Sequence, residues 1–180
     1  MNRIARGGSR GVSLVELCVG AGVLALLAGA AIPALTQFRR EQALRAAADA
    51  LASDLRLARS EAARTGDSVY FRVSGKGSQS CYLLHTGTGN GCDCSASGQA
   101  SCTTPGSAII KAEWLPRASL LLRSNAETFE FQFRQGLVTQ TGSIDLSLVN
   151  GPGIRQVVAI IGRVRSCYIG AKLSGLPKCA

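Results

Sequence analysis

The sequence predicts an α+β fold in which one long N-terminal helix packs on an antiparallel β-sheet. Two patterns predict it. An apolar run near the N-terminus passes directly into a stretch with apolar residues at three- and four-residue intervals. In the second half of the chain, apolar and polar residues alternate one by one. With 180 residues, 46% of them apolar and 17% charged, the chain can bury one core, which excludes a disordered protein.

The first part of the predicted helix is a candidate membrane span. Residues 17–35 carry no charge, and at about 1.5 Å per residue they reach roughly across the hydrocarbon core of a bilayer. Arg3, Arg6 and Arg10 precede the run, so the N-terminus should stay in the cytoplasm while the chain after Phe38 is exported. A secretory signal peptide is the alternative, but the run exceeds its usual apolar length of about 7–15 residues.

Beyond the membrane the helix is predicted to continue as an amphipathic rod. Its apolar stripe consists of Leu44, Ala47, Ala48, Leu51, Leu55, Ala58 and Ala62. The polar residues outside this stripe are Arg45, Asp49, Ser53, Arg56 and Arg59. Gly66 should end the helix, because glycine is favoured immediately after a helix C-terminus.

Strand patterns follow the helix. The predicted strands are residues 69–73, 81–85, 109–114, 120–122, 129–133, 144–148 and a last one from 156 to 161 that continues through Gly162 toward Cys167. Turns are predicted at residues 75–78 and 150–153, and residues 86–106 are predicted to form a loop joined by cysteines. The strands over 129–133, 144–148 and 156–161 should form an antiparallel meander because their connections are short.

Cysteine usage agrees with export. Cys18 lies in the apolar run, and six further cysteines follow it: Cys81, Cys92, Cys94, Cys102, Cys167 and Cys179. An even number is expected of a disulfide framework, and about 15 pairings of six cysteines are possible. Cys167 with Cys179 is the preferred pair because it closes a short terminal loop. Free or metal-bound thiols are the alternative, but Cys92-x-Cys94 lacks ordinary zinc spacing, so neither a metal nor another cofactor is expected.

A short motif stands where the apolar run begins. Gly11-Val12-Ser13-Leu14-Val15-Glu16-Leu17 follows an arginine-rich leader, and Pro33 lies further along the run. Together these features resemble the signal of type IV pilins and pseudopilins. The resemblance implies cleavage between Gly11 and Val12 by a prepilin peptidase, and methylation of the new terminus, although Val12 stands where phenylalanine is usual. It also implies that Glu16 pairs with the terminal ammonium of a neighbouring pilin in the filament. A helix-capping carboxylate near the membrane surface is the alternative for Glu16.

This resemblance sets the expected organisation. Residues 1–11 would be the cleaved leader, and residues 12–37 a single-pass helix in the inner membrane and filament core. Residues 38–180 would be the type IV pilin domain in the periplasm, later at the cell surface in the pilus. Within that domain, residues 38–65 would be the amphipathic helix, 68–167 the sheet and 168–180 a basic tail. Other major and minor pilins would be its partners.

Two further segments narrow the resemblance: residues 53–62 in the predicted helix, and Gly162-Arg163-Val164-Arg165 near the C-terminus. The first looks like the helix segment of the GspH/FimT group of minor pilins and pseudopilins. The second resembles the GRxR motif of members of that group that bind DNA during natural transformation. The resemblance implies that this chain is a minor type IV pilin that binds double-stranded DNA without sequence specificity.

The charges near the C-terminus favour the same function independently. Residues 146–180 include no acidic residue, and their basic residues are Arg155, Arg163, Arg165, Lys172 and Lys178. Arg163 and Arg165 are two apart, so on one strand they would project from the same face, and guanidinium groups suit phosphate. A Cys167–Cys179 bridge would hold the tail near that face.

Other interpretations remain open. The basic tail is also typical of a solvated sheet edge, where lysine and arginine prevent aggregation. The chain would then be a purely structural minor pilin, which primes pilus assembly, or a GspH-like pseudopilin at the tip of a type II secretion pseudopilus. An enzyme is not expected, because the single histidine and scattered carboxylates form no catalytic constellation in the sequence.

Overall fold

The computed structural model describes residues 11, 13–76, 79–95, 98–116 and 119–179. Most of the expected leader, the expected cleavage position at Val12 and the centre of the predicted turn over 75–78 therefore lie outside the described residues. The chain forms two units, Met1–Arg39 and Arg40–Ala180. One helix, α1, spans Leu14–Thr65 and contributes to both.

In the first unit, α1 is apolar and exposed. It begins after Ser13, whose hydroxyl oxygen accepts a hydrogen bond from the backbone N–H of Glu16 at 3.2 Å and caps the helix. The segment is long and apolar enough to cross a membrane. Leu14, Leu24 and Leu26 are 80%, 68% and 78% exposed. Apolar surface of this extent needs a cover of lipid or of other protein.

In the second unit, α1 is amphipathic as predicted. Leu44, Leu51 and Leu55 are fully buried, together with Ala58 and Ala62 in the same stripe. The helix ends at Thr65, and Gly66 adopts a φ of +76° while its N–H donates to the carbonyl of Ala62 at 3.1 Å. The prediction that Gly66 ends the helix is confirmed.

Two four-stranded antiparallel sheets cover the helix stripe. The first contains β1 (Val69–Lys76), β2 (Gln79–His85), β5 (Ile109–Pro116) and β7 (Thr128–Phe131), in the order β5-β2-β1-β7. The second contains β6 (Leu120–Ser124), β8 (Gly142–Leu148), β9 (Gly153–Val158) and β10 (Val164–Ile169), in the order β10-β9-β8-β6. The α+β fold class is confirmed.

A common core joins the helix to both sheets. The helix stripe packs in one cluster with Phe71, Phe129 and Phe131 of the first sheet and with Ile144 and Leu146 of the second. Polar contacts add to it on the side of the second sheet, where the Gln156 side-chain amide donates to the Ala48 carbonyl at 3.0 Å. This packing fixes the position of β9 and its neighbours against α1.

Three details of the strand prediction are wrong. The strand predicted over 129–133 ends at Phe131 and pairs with β1, so it belongs to the first sheet and not to the predicted meander. It ends there because the backbone folds back, with Gly136 N–H donating to the Gln132 carbonyl at 3.0 Å. This turn leaves Phe133 39% exposed.

The second error concerns the last predicted strand, which is two strands. The chain turns between Val158 and Val164, so β9 and β10 form an antiparallel hairpin. The third concerns residues 86–106, predicted as a loop. They contain a small hairpin of β3 (Cys92–Cys94) and β4 (Ala100–Cys102), which is too short to give a periodic signal.

Three disulfides are present. Cys81–Cys94 ties the β3–β4 hairpin to β2. Cys92–Cys102 joins the two strands of that hairpin. Cys167–Cys179 ties the C-terminal tail to β10. Cys18 is the free cysteine of the described residues, and no group of three or more histidine, cysteine or acidic side chains among them is arranged to hold a metal ion.

Candidate nucleic-acid interface

The GRxR motif begins in the turn of the β9–β10 hairpin. The Gly162 N–H donates to the Ala159 carbonyl at 2.8 Å, and the Ala159 N–H donates to the Arg163 carbonyl at 3.0 Å. Ile160, Ile161 and Gly162 thus form a three-residue loop that ends in glycine with a φ of +72°. A turn followed by a left-handed residue is a common way to close a hairpin of this length.

Glycine is required at position 162 for a second reason. A Cβ placed there would overlap the carbonyl oxygen of Gly136 and would lie 3.1 Å from Cδ and Nε of Arg59. The hairpin turn is therefore in close contact with both the helix and the loop after β7. This contact fixes Arg163, the next residue, beside α1.

A groove of about 470 Å³ runs between α1 and the hairpin. Its lining residues are Arg56, Arg59, Ser60, Ala63, Gly162, Arg163 and Val164. We call this the arginine groove. Two of its three arginines come from the helix and one from the hairpin, more than 100 positions later in the chain.

Arg56 and Arg59 were missed as site residues by the sequence analysis, which placed them only on the polar face of the helix. Their spacing was an available signal, since residues three apart lie on the same helix face. What the sequence does not reveal is that the hairpin packs beside that face.

The guanidinium groups of the groove are available to an anion. Arg56, Arg59 and Arg163 are exposed. Across the part of the chain that the structure describes, none of these three arginines forms a salt bridge with a carboxylate. The carboxylate of Glu61, on the same helix, pairs with Arg64, with 2.6 Å between Oε2 of Glu61 and Nη2 of Arg64.

Arg165 lies beside the groove on β10, the edge strand of the second sheet. It is paired with Val157 in the strand register, and both side chains are exposed on the outer face. Its neighbour Ser166 faces inward and donates to the side-chain oxygen of Gln156 at 2.7 Å. Arg163 precedes β10, so the prediction that both arginines share one strand is wrong, although both are exposed.

Arg155 does not belong to this interface, contrary to the sequence analysis. Its guanidinium donates to both oxygens of the Asp145 carboxylate, at 2.7 and 2.8 Å. The two residues are opposite each other on β9 and β8. Hydrogen bonds with Asp145 raise the pKa of Arg155, and its charge is neutralised within the fold.

Lys172 and Lys178 are exposed but lie at the other end of β10. The tail that carries these lysines pairs with the C-terminal end of β10, where the Tyr168 N–H donates to the Pro177 carbonyl at 2.9 Å. The tail also accepts a hydrogen bond from Arg45 at the Ser174 carbonyl. Arg45 and Arg59 are 14 residues apart on α1, or about 21 Å along its axis.

The Cys167–Cys179 bridge holds the tail on β10 two residues beyond Arg165, and the lining of the arginine groove includes no described residue of the tail. The position of the tail follows from Leu173, whose buried side chain joins the core and anchors the tail near Arg45. Tyr168, at the same end of β10, packs against this core as well.

A further arginine lies in the loop after β7. The loop after β7 reaches the hairpin, where the Val138 N–H donates to the Ile160 carbonyl at 2.8 Å. The same loop carries Arg134, which is exposed and lies 5.5 Å from the ring centroid of Phe133. This end of the domain therefore combines arginines from three separate segments.

The N-terminal motif lies in the other unit. Glu16 is exposed in the first turn of α1, where the helix dipole favours a carboxylate. Gly11 is exposed and has open space around its Cα. Both expected roles of Glu16, pairing with a neighbouring subunit and capping the helix, need an exposed carboxylate at this position.

A family model described as type II transport protein GspH matches residues 47–163. The type IV minor pilin FimU of Pseudomonas aeruginosa, strain PAO1, in space group P21 is 19% identical, with 71% of this chain and 90% of that chain covered and a TM-score of 0.50. In a second crystal form, in space group P65, FimU is 17% identical, with 68% of this chain and 91% of that chain covered and a TM-score of 0.48. No match was found among curated proteins by sequence.

The likeness to FimU agrees with a type IV pilin fold, in which a long N-terminal helix packs on antiparallel sheets. Members of the family assemble with other pilins in a filament, which explains why α1 begins with an exposed apolar segment. Because the GspH model matches well over half of its residues, this chain belongs to the GspH family of minor pilins and pseudopilins.

Proposed function

We propose that this chain is a minor type IV pilin that binds extracellular double-stranded DNA for uptake in natural transformation. The observation that carries the proposal is the arginine groove, where Arg56, Arg59 and Arg163 are exposed and form no salt bridge with a described carboxylate. The GRxR likeness of residues 162–165 supports it, because the hairpin places the first arginine of that motif in the groove.

The geometry favours contacts with phosphate. Each guanidinium offers several N–H donors in a fixed plane, which matches two phosphate oxygens. The groove lies between α1 and the β9–β10 hairpin, so its arginines come from two separate elements and not from a single recognition helix. Contacts with the backbone position DNA without selecting a sequence, so binding should be independent of sequence.

The proposal includes processing and location. A prepilin peptidase would cleave between Gly11 and Val12, and the first unit would anchor the chain in the inner membrane by a single pass. The domain that carries the arginine groove would face the periplasm and reach the cell surface in the pilus. Glu16 would then pair with the terminal ammonium of a neighbouring pilin, since an unpaired carboxylate is costly in an apolar filament core.

The proposal is tested with a matched pair of double variants. Arg163→Gln with Arg165→Gln removes two charges beside the groove, and Lys172→Gln with Lys178→Gln removes two exposed charges at the other end of β10. With the full chain in nonionic detergent and a 30-bp duplex, the arginine variant should weaken binding tenfold or more, whereas the lysine variant should change it about twofold. Equal losses would show that net charge, and not this site, binds the DNA.

A second candidate function is purely structural, and the match to the GspH model favours it. In that case the chain would prime pilus assembly or lie at the tip of a secretion pseudopilus, without binding DNA. A deletion strain distinguishes the two functions, because loss of DNA uptake with normal piliation indicates DNA binding. Loss of both indicates an assembly role.

A further inference from the structure

Two isoleucines at the tip of the β9–β10 hairpin have no role in the core. Ile160 and Ile161 are 57% and 54% exposed. They occupy the middle of a tight turn, where glycine, asparagine, aspartate, proline and serine are favoured. A β-branched side chain favours strands and does not stabilise such a turn. The backbone of this turn is held by Gly162 and by the hydrogen bond from Val138 to the Ile160 carbonyl, so the fold does not need isoleucine side chains here.

Positive charge surrounds this apolar tip. Arg163 follows it directly, and the side chain of Arg59 lies against Gly162 at the end of the turn. Arg165 is two residues further along, and its partner Val157 adds a third aliphatic side chain, 37% exposed. From residue 146 to the last described residue there is no acidic side chain.

We propose that Ile160 and Ile161 contact the bases of DNA where the base stack is open, while the arginine groove holds the adjacent phosphates. This inference rests on the proposed DNA binding and adds a preference for one form of the ligand. Nucleic acid combines anionic phosphates with flat apolar base faces, and aliphatic wedges of this kind insert between bases in proteins that kink DNA.

The preference follows from the cost of opening the stack. Separating two stacked base pairs costs free energy, and this cost is smaller where bases are mismatched or unpaired. The tip should therefore contribute to binding mainly at mismatches, gaps and frayed ends. An intact duplex should be held by the arginines alone.

The test compares probes on the full chain in phosphatidylcholine nanodiscs. The probes are an intact 30-bp duplex, the same duplex with a central two-nucleotide mismatch, and one of its single strands. The wild-type chain should bind the mismatched duplex at least about fivefold more tightly than the intact one. Ile160→Ser with Ile161→Ser should abolish this preference and leave the affinity for the intact duplex unchanged.

Val149→Ser is the matched control. Val149 is 46% exposed in the turn between β8 and β9, at the other end of β9 and about 20 Å from the tip. It should leave the preference unchanged. Equal melting temperatures of all three proteins establish that the substitutions act on binding and not on folding.

The outcomes separate this inference from the proposed function. If the wild-type chain binds no probe, the proposed function is wrong and the inference falls with it. If it binds the intact duplex but shows no preference, or if the serine variant keeps the preference, only the inference is overturned. A further outcome is that the serine variant loses binding to phosphatidylglycerol vesicles while all its DNA affinities stay unchanged. That result would assign the tip to an anionic lipid surface and would also overturn the inference.

Discussion

The side chain of Arg59 lies against Gly162, so the polar face of α1 and the turn of the GRxR hairpin are in direct contact. A Cβ at position 162 would lie 3.1 Å from Cδ and Nε of Arg59. The contact brings together two arginines of the helix and one of the hairpin without an intervening carboxylate among the described residues. Gly162 is thus a structural requirement of the arginine groove.

Gly162→Ala should destabilise the domain by about 2 kcal/mol or more. A left-handed φ costs an alanine roughly 1 kcal/mol, and the overlap with the Gly136 carbonyl adds to it. Gly175→Ala is the control, because Gly175 has a φ of +82° and open space around its Cα. Urea unfolding measures the free energy of unfolding of each variant. Equal decreases for the two variants would show that the contact at position 162 has no effect on stability.

Asp54→Ala should destabilise the domain by about 2–4 kcal/mol, because it leaves the buried Tyr82 hydroxyl without its acceptor and removes one of the two carboxylates that pair with Lys111. The buried Asp54 carboxylate accepts hydrogen bonds from the Tyr82 hydroxyl at 2.9 Å and from the Lys111 ammonium at 2.8 Å. Burial and the nearby Asp54 carboxylate also raise the pKa of Tyr82. Asp49→Ala, at an exposed position on the same helix, should change the free energy of unfolding by less than about 0.5 kcal/mol.

Stability should fall as the pH is lowered below about 6.5, the ordinary pKa of histidine. His85 is the single histidine, it is fully buried, and burial lowers its pKa in the folded state. Between pH 7 and pH 5, the His85 imidazole therefore binds a proton more readily in the unfolded chain than in the folded chain. The free energy of unfolding and the urea midpoint should drop over this range. In His85→Gln this drop should disappear; a drop of the same size in the variant would refute the assignment to His85.

Removing the Cys167–Cys179 bridge should affect stability but not the groove. A loop of this length contributes about 3 kcal/mol in the chain-entropy model, so Cys167→Ser with Cys179→Ser should lower the melting temperature. Because the tail lies at the end of β10 away from Arg163, DNA affinity below the melting temperature should change less than about twofold. A tenfold loss of affinity would place the tail in the interface after all.

The sequence predicts the elements of this fold better than their arrangement. The stripe from Leu44 to Ala62 and the glycine after Thr65 are local signals, and both were interpreted correctly. The assignment of Phe129 and Phe131 to a strand was also correct, but alternation alone does not reveal which sheet a strand joins. The turn at residues 159–163 was missed because isoleucines occupy the positions where turn residues are expected.

The candidate site shows the same limit. The motif Gly162-Arg163-Val164-Arg165 was found in the sequence, whereas Arg56 and Arg59 were not assigned, because only the folded chain brings the helix beside the hairpin. Arg155 was assigned wrongly because its partner, Asp145, lies just before the stretch that lacks acidic residues. Cross-strand pairing between β8 and β9 decides that contact, and this register depends on the turn that joins them.

The central claim, that the helix and hairpin arginines bind phosphate together, is tested most directly by the salt dependence of DNA binding. For about 3–5 phosphate contacts, the logarithm of the association constant should fall with the logarithm of the salt concentration at a slope of roughly −3 to −4.5. Arg56→Gln with Arg59→Gln should reduce the magnitude of this slope by about 2. A slope near zero for the wild-type chain, or an unchanged slope in the variant, would contradict the account.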